Sequence, residues 1–251
     1  MNFSHVILNN HKLSSKTALN FKEDNHWETY SWQEFHDIIK QTANALKKLG
    51  VQPNDNIAIY ADNMPQWMIF DIAILNIGAV TVPIYATLTS EQAEYIINEA
   101  EIKIILAGNR KQYENALKIQ SKGDLLKHII VAKNSVELKN KYSYHFYEWI
   151  KDQPLECEVV PKERTDIASI IYTSGTTGEP KGAMLSHGNY FDVCQAHIKF
   201  FNFSPENENS LVFLPLSHIF EKCWSSFVLS NGGQLSFCEN PKEIAQYLLE
   251  V

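Results

Sequence analysis

The most informative part of this sequence is the run Tyr172-Thr173-Ser174-Gly175-Thr176-Thr177-Gly178-Glu179-Pro180-Lys181-Gly182, which follows the apolar segment Ile167-Ala168-Ser169-Ile170-Ile171. The run contains four Ser and Thr hydroxyls, three glycines and a lysine. Glycine lets a backbone approach an anion closely and adopt positive φ. Successive loop amides form concave anion sites, to which hydroxyl groups add donors. Because Lys181 also supplies a compact positive charge, the run predicts a polyphosphate-binding loop after a buried strand.

Two common phosphate-binding patterns do not explain this run. A Walker A loop has a Gly-Lys pair followed by Ser or Thr, whereas Pro180 precedes the lysine here and Gly182 follows it. A G-x-G-x-x-G dinucleotide fingerprint occurs nowhere in the chain. The remaining alternative is a flexible Gly/Ser/Thr surface loop, which the length of the run and its apolar strand disfavour.

The run resembles the phosphate-binding signature of the adenylate-forming superfamily, which includes acyl-CoA synthetases, luciferases and peptide-synthetase adenylation domains. A second segment, Phe213-Leu214-Pro215-Leu216-Ser217-His218-Ile219-Phe220-Glu221, resembles the Leu-Pro-Leu-x-His-x-Phe-Glu segment of long-chain fatty acyl-CoA synthetases. Weaker similarity extends from about Ser14 to the end of the chain. The resemblance implies a long-chain fatty acid–CoA ligase, with ATP, Mg²⁺ and CoA taking part in the reaction.

The resemblance also implies roles for individual residues of the loop. The expected nucleotide-binding residues are Thr173, Ser174, Gly175, Thr176, Thr177, Gly178 and Lys181. Lys181 would act in catalysis by neutralising phosphate charge. Thr173 would be a hydroxyl ligand of Mg²⁺, a hard cation that prefers oxygen.

The second segment implies an acyl site. His218 would be a catalytic residue beside the acyl carboxylate or at the entry of the acyl tunnel, and Trp224 would contact the acyl chain. Each has a simpler alternative: His218 could cap the helix that follows Pro215, and Trp224 could belong to the core. Glu221 could equally be a solvated helix residue, and His187 is expected to be structural or to position the loop.

Composition limits the classes of function. With 251 residues, 45% hydrophobic and 20% charged, the chain can form one large domain or two small ones. The net charge of −7 argues against a nucleic-acid partner, which would need clustered Lys and Arg. The four cysteines form no C-x-x-C pair, so neither a zinc nor a redox site is indicated, and a cytoplasmic protein is expected. A fatty-acid substrate would allow peripheral membrane contact, although no basic amphipathic helix is evident.

Local signals predict an α/β fold. Ser31 and Glu34 form a capping-box pattern before a helix that reaches about Leu49, and Pro65 opens a helix that Gly78 ends. Apolar strand-like segments alternate with these helices, which predicts largely parallel sheets flanked by helices. We expect residues 1–165 to be the N-terminal α/β portion of an AMP-binding domain. Residues 166–251 are expected to be the phosphate-loop and acyl-gate portion of the same domain.

The last residues predict an incomplete domain. Pro241 opens a helix whose apolar residues Ile244, Tyr247, Leu248 and Val251 share one face, and the chain ends without a cap. The expectation is therefore an N-terminal part of the large adenylate-forming domain, truncated before the small C-terminal domain and inactive in isolation. A fatty acyl-AMP ligase or another adenylate-forming enzyme remains an alternative. A nucleotide-binding protein without catalysis is the alternative from another class.

Overall fold

The computed structural model describes residues 2–10, 13–24, 26–173, 179–201, 208–238 and 241–251. In these ranges the strands are β1 Thr17–Glu23, β2 His26–Ser31, β3 Asn56–Tyr60, β4 Val80–Ile84, β5 Ile104–Ala107, β6 His128–Val131, β7 Ser143–His145, β8 Ile167–Thr173, β9 Lys181–Ser186, β10 Asn209–Val212 and β11 Gln234–Phe237. The helices are α1 Ser4–Leu8, α2 Trp32–Lys48, α3 Pro65–Asn76, α4 Ser90–Glu99, α5 Arg110–Lys122, α6 Phe146–Ile150, α7 His187–Phe200, α8 Ile219–Ser230 and α9 Ile244–Glu250. The predicted α/β class is confirmed.

The larger sheet has the strand order β7-β6-β5-β3-β4-β8-β9. All neighbouring strands in it run parallel except β8 and β9, which form an antiparallel hairpin. Strands β4 and β5 are buried along their whole length, as expected for parallel strands covered by helices on both faces. The carboxyl ends of the parallel strands therefore meet at one edge, where α/β proteins place their ligands.

The smaller sheet has the order β10-β11-β1-β2. Strand β1 forms an antiparallel hairpin with β2 and runs parallel to β11, with Leu19 opposite Leu235. Residues 1–165 thus contribute two strands to this sheet and residues 166–251 contribute the other two. The larger sheet also contains strands from both parts of the chain, because β8 of residues 166–251 pairs with β4 of residues 1–165.

The capping patterns account for the helix boundaries. The Ser31 hydroxyl accepts a hydrogen bond from the Glu34 amide, and the Ser31 amide donates to the Glu34 carboxylate at 2.8 Å. The predicted capping box is therefore present, and α2 ends two residues before Gly50, whose φ of +88° favours glycine. Helix α3 is apolar and buried on almost every side, so it lies in the core rather than at the surface.

A buried ion pair links two helices within this core. The Lys222 ammonium of α8 lies 2.7 Å from the Asp71 carboxylate of α3, and both side chains are at most 2% exposed. The ammonium also lies 5.5 Å from the ring centres of Trp67 and Tyr190, within the range of cation–π attraction.

The C-terminal helix is shorter and less buried than the sequence indicates. Residues 241–243 form a 3₁₀ turn and α9 follows. On the predicted apolar face only Tyr247 is buried, while Leu248 is exposed. Tyr247 packs edge-on against Trp27 of β2, with ring centres 5.6 Å apart. The Glu250 carboxylate also pairs with Lys22 at 2.6 Å and accepts a hydrogen bond from the Trp27 indole N–H at 2.9 Å. Aromatic and polar contacts with the β1–β2 hairpin, rather than an apolar stripe, thus attach α9 to the smaller sheet.

Candidate functional site

The predicted phosphate loop connects the two strands of the β8–β9 hairpin. Thr173 ends β8, Lys181 begins β9, and the two residues are paired in the antiparallel register. Both side chains are exposed. Ser174, Gly175, Thr176, Thr177 and Gly178 lie outside the described residues. The fold therefore places a hydroxyl and an ammonium group side by side at the two ends of the loop.

Gly182 of this run has a packing role. A side-chain Cβ at position 182 would lie 2.7 Å from the Ile170 side chain and 3.2 Å from the Tyr172 ring. Such contacts are too close for any larger residue, so this glycine lets β9 pass over the Tyr172 ring. Burial raises the pKa of Tyr172 to about 12, with Glu99 and Tyr95 adding to the effect. The phenol is therefore neutral at physiological pH.

A cavity of about 190 Å³ opens at the carboxyl edge of the larger sheet. It is lined by residues 61–63 after β3, residues 85–87 after β4, Phe213, Pro215 and Ser217 after β10, and Cys238 after β11. Strand β8 lies next to β4, with Ser169 opposite Thr81, so Thr173 ends at the same edge. The cavity, called the inter-sheet cleft below, therefore lies between the two sheets. It is on the same side as the β8–β9 hairpin with its predicted phosphate loop, called the phosphate hairpin below.

Asp62 and Asn63 at the end of β3 are functional candidates that sequence reasoning missed. The Asp62 carboxylate accepts hydrogen bonds from the side-chain amides of Asn109 at 3.1 Å and Gln112 at 3.2 Å. Polar residues directly after an apolar strand were the available signal, because such residues collect at the carboxyl edge of a parallel sheet.

Glu221 is buried, so the expectation that it could be a solvated helix residue is wrong. Its side chain is 2% exposed, accepts a hydrogen bond from the Leu214 amide at 3.2 Å, and accepts another from the Ser225 hydroxyl at 3.1 Å. Burial raises the pKa of the carboxyl to about 7. Helix α8 turns this side chain inward toward the backbone of residues 213–217.

His218 is the N-cap of α8. Its Nδ1 accepts a hydrogen bond from the Phe220 amide at 3.2 Å, so the neutral ring carries its proton on Nε2. Nδ1 thus caps α8, as the simpler alternative predicts. The Nε2–H group has the chemistry of a hydrogen-bond donor to a carboxylate. The ring is exposed, and its neighbour Ser217 lines the inter-sheet cleft.

Trp224 lies in an aromatic cluster. Its ring centre is 5.4 Å from those of Phe201 and Phe227, and its indole N–H donates to the Ser210 hydroxyl at 2.8 Å. Trp224 does not line the inter-sheet cleft, so these contacts describe a packed, partly buried core residue. Its predicted contact with an acyl chain stays a prediction.

His187 is a structural residue at the start of α7. It is 1% exposed, and its Nδ1 accepts a hydrogen bond from the Phe3 amide at 3.1 Å. Burial lowers the pKa of the ring to about 4, so the imidazole is neutral. This bond fixes the N-terminal residues on the helix that follows the phosphate hairpin.

The sequence as a whole matches a known family. A family model described as AMP-binding enzyme matches residues 8–251. The chain belongs to the AMP-binding enzyme family. Among the described residues, no group of three or more His, Cys, Asp or Glu side chains could hold a metal ion. The described helices include none that is long and apolar enough to cross a membrane.

Two curated relatives are similar to this chain over most of its length. The chain is 32% identical over 230 residues to the human long-chain-fatty-acid–CoA ligase ACSBG2, covering 88% of this chain and 34% of the relative. It is 29% identical over 223 residues to long chain acyl-CoA synthetase 4 of Arabidopsis thaliana, covering 84% and 33% respectively. The chain therefore spans about a third of the length of these relatives.

Solved structures share the fold at lower sequence identity. The anthranilate CoA ligase AuaEII, in complex with anthranoyl-AMP, superposes on this chain with a TM-score of 0.88 at 23% identity. The superposition covers 99% of this chain and 47% of the AuaEII chain. ATP-bound MatB from Rhodopseudomonas palustris superposes with a TM-score of 0.84 at 22% identity, covering 100% and 48% respectively. These likenesses show the fold, and the family match over residues 8–251 confirms the predicted membership of the adenylate-forming superfamily.

Proposed function

We propose that the complete protein activates a long-chain fatty acid with ATP and then transfers the acyl group to CoA. The observation that carries the proposal is the pairing of Thr173 with Lys181 at the two ends of the phosphate hairpin, beside the inter-sheet cleft. The curated relatives, named long-chain fatty acid–CoA ligases, support the substrate class. The acid carboxylate would attack the α-phosphorus of ATP and release pyrophosphate. The CoA thiol would then displace AMP and form the thioester.

Lys181 would act on the departing pyrophosphate. The first step concentrates negative charge there, so it needs positioned positive charge and hydrogen-bond donors. Lys181 would supply the charge at one end of the loop, and Ser174, Thr176, Thr177 and the backbone amides of Gly175 and Gly178 would supply donors between the two strands.

Thr173 would contribute to binding of Mg²⁺. Its exposed hydroxyl has the oxygen chemistry that this cation prefers, and Mg²⁺ is commonly held by one or two protein groups together with substrate phosphates. The described part of the chain offers no complete protein cage, which fits a cation that arrives with the nucleotide. When bound, the cation would neutralise phosphate charge.

His218 and Trp224 would belong to the acyl side of the site. The Nε2–H of His218 would donate a hydrogen bond to the fatty acid carboxylate, while Nδ1 stays engaged in the helix cap. Any contact of Trp224 with the acyl chain would lie outside the inter-sheet cleft, because the Trp224 ring packs on Phe201 and Phe227. We therefore assign the larger role to His218.

ATP–pyrophosphate exchange with a panel of fatty acids tests the proposal. The 251-residue chain and the complete protein should be assayed side by side, and exchange is expected from the longer protein, strongest with long acyl chains. Exchange by the short chain would show that it already contains the adenylation machinery. Absence of exchange from the complete protein with every acid would refute the proposed reaction and favour nucleotide binding without catalysis.

The Lys181→Ala variant of the complete protein tests the residue that carries the charge. Loss of one stabilising group in a transition state lowers kcat by about 100-fold to 1,000-fold, and a fall of this size in the adenylation rate is expected. Lys48→Ala is the matched control, because Lys48 is an exposed lysine at the end of α2. An unchanged adenylation rate in Lys181→Ala would remove the role assigned to this residue. Comparing CoA with other acceptors would separate a CoA ligase from an acyl-AMP ligase.

A further inference from the structure

Residues 213–217, called the cleft segment below, cannot be held by ordinary sheet pairing. The segment follows β10, and its middle residue is Pro215, which has no amide hydrogen to donate. Buried backbone groups need hydrogen-bond partners, and Leu216 and Ser217 are buried, whereas Phe213, Leu214 and Pro215 are exposed. The backbone groups that flank the proline take their partners outside the sheet.

Side chains from two other elements supply these partners. The Asn63 side-chain amide donates to the Leu214 carbonyl at 2.7 Å, and its oxygen accepts from the Leu216 amide at 2.9 Å. One side chain thus fixes the backbone on both sides of Pro215. The Glu221 carboxylate accepts from the Leu214 amide at 3.2 Å, and the His218 amide donates to the Pro215 carbonyl at 2.8 Å.

The two side chains reach the segment from different parts of the fold. Asn63 follows β3 of the larger sheet, whereas Glu221 lies in α8, which packs on the smaller sheet. Glu221 is buried and its second oxygen is held by Ser225, so its position is fixed. The cleft segment is therefore clamped between the two sheets, and Phe213, Pro215 and Ser217 form the part of the cleft wall that it contributes.

We propose that Asn63 and Glu221 are positioning residues that hold the cleft segment in the conformation that recognises the acyl group. The inference rests on the proposed function, since it assigns this wall of the cleft to the fatty acid rather than to ATP. The nucleotide side of the site, with Thr173 and Lys181, is built on the β8–β9 hairpin. In the part of the chain that the structure describes, no hydrogen bond of Asn63 or Glu221 reaches this hairpin. Loosening the clamp should therefore weaken recognition of the fatty acid and spare recognition of ATP.

The test is a comparison of KM values in ATP–pyrophosphate exchange by the complete protein. Asn63→Ala removes three hydrogen bonds of one side chain, the two described above and a longer one to the Val212 carbonyl at 3.4 Å. We expect the KM for a long-chain fatty acid to rise about tenfold or more, with the KM for ATP changing less than about twofold. Asn44→Ala is the matched control. Asn44 also donates two hydrogen bonds to a connecting segment, at 2.9 Å to the Pro154 carbonyl and 3.0 Å to the Glu156 carbonyl, but far from the cleft.

Glu221 provides the second, independent pair of variants. Glu221→Gln keeps a carbonyl oxygen for the Leu214 amide and offers its NH₂ group to the Ser225 hydroxyl, so it should stay near wild type. Glu221→Leu keeps the volume but leaves the Leu214 amide without its acceptor, so it should reproduce the rise in fatty acid KM. This pair decides the question if Asn63→Ala fails to fold.

The outcomes separate the two proposals. If the wild-type protein shows exchange but Asn63→Ala and Glu221→Leu match Asn44→Ala, the clamp is refuted and the proposed reaction stands. If the KM for ATP rises as much as the KM for the fatty acid, the residues support the whole domain and the acyl-specific role is refuted. If the wild-type protein shows no exchange with any fatty acid, the proposed reaction fails, and the clamp's assignment to acyl recognition fails with it.

Discussion

Replacing Lys222 with methionine should destabilise this chain strongly, because it would leave the Asp71 carboxylate in the core without its partner. At 2.7 Å, and with an effective dielectric constant of about 20, the attraction between the two charges is about 6 kcal/mol. Desolvation of both groups opposes most of that attraction, so the intact pair adds little net stability. Breaking the pair removes the attraction while the carboxylate stays buried. The free energy of unfolding is therefore expected to fall by about 3–5 kcal/mol. The total free energy of unfolding of a typical domain is only about 5–15 kcal/mol.

Urea unfolding of the chain, followed by circular dichroism, measures this loss. With an m-value of about 2–3 kcal/mol/M, the unfolding midpoint of Lys222→Met should fall by roughly 1–2.5 M. The double variant Asp71→Leu with Lys222→Met replaces both charges by apolar groups and should recover most of the loss. Lys122→Met is the control, because the Lys122–Glu94 pair is half exposed and should cost at most about 1 kcal/mol. A Lys222→Met variant as stable as this control, or a double variant as unstable as the single one, would refute the reasoning.

Two further substitutions test packing and titration. The pKa of Glu221 is about 7 in the folded chain and near 4.3 when unfolded; the fold therefore favours the protonated form, and stability is lost as pH rises. Between pH 5 and 8 the free energy of unfolding of the wild type should fall by about 2.5 kcal/mol more than that of Glu221→Gln. Urea midpoints that change in parallel for the two proteins would contradict this. Gly188→Ala would place a Cβ 2.7 Å from the Arg164 carbonyl and should cost about 1–3 kcal/mol. Gly123→Ala, where the same atom meets nothing within 4 Å, should cost nothing in the same thermal unfolding experiment.

Local sequence signals were sufficient for the parts of the fold that local interactions determine. Ser31 caps α2 because its hydroxyl can accept a hydrogen bond from the amide three residues ahead, and Pro65 opens α3, as the sequence predicts. Strand β9 gave no such signal, because its first residues, Lys-Gly-Ala, do not alternate between apolar and polar side chains. Its extended conformation depends on pairing with β8. The β1–β11 pairing was also beyond local reasoning, since it joins residues 19 and 235.

The candidate site was predictable to a similar extent. Thr173 and Lys181 are eight positions apart in one recognisable run, and the hairpin pairs them. The inter-sheet cleft requires Asn63 to contact Leu214, which lies 151 positions later in the chain, and no local pattern indicates this contact. Glu221 was ambiguous because a carboxyl group is usually exposed, and only the backbone of the cleft segment gives it a buried partner.

The position of β1 inside the smaller sheet has a consequence for synthesis on the ribosome. Its parallel partner β11 is made about 210 residues later, which takes roughly 10–40 s at ordinary elongation rates. During that interval the β1–β2 hairpin exists with one unpaired edge, including the buried Leu19, and an isolated hairpin is at best marginally stable. The nascent chain therefore carries an open, aggregation-prone edge until β11 emerges, and we expect chaperone occupancy of β1 to persist through this interval.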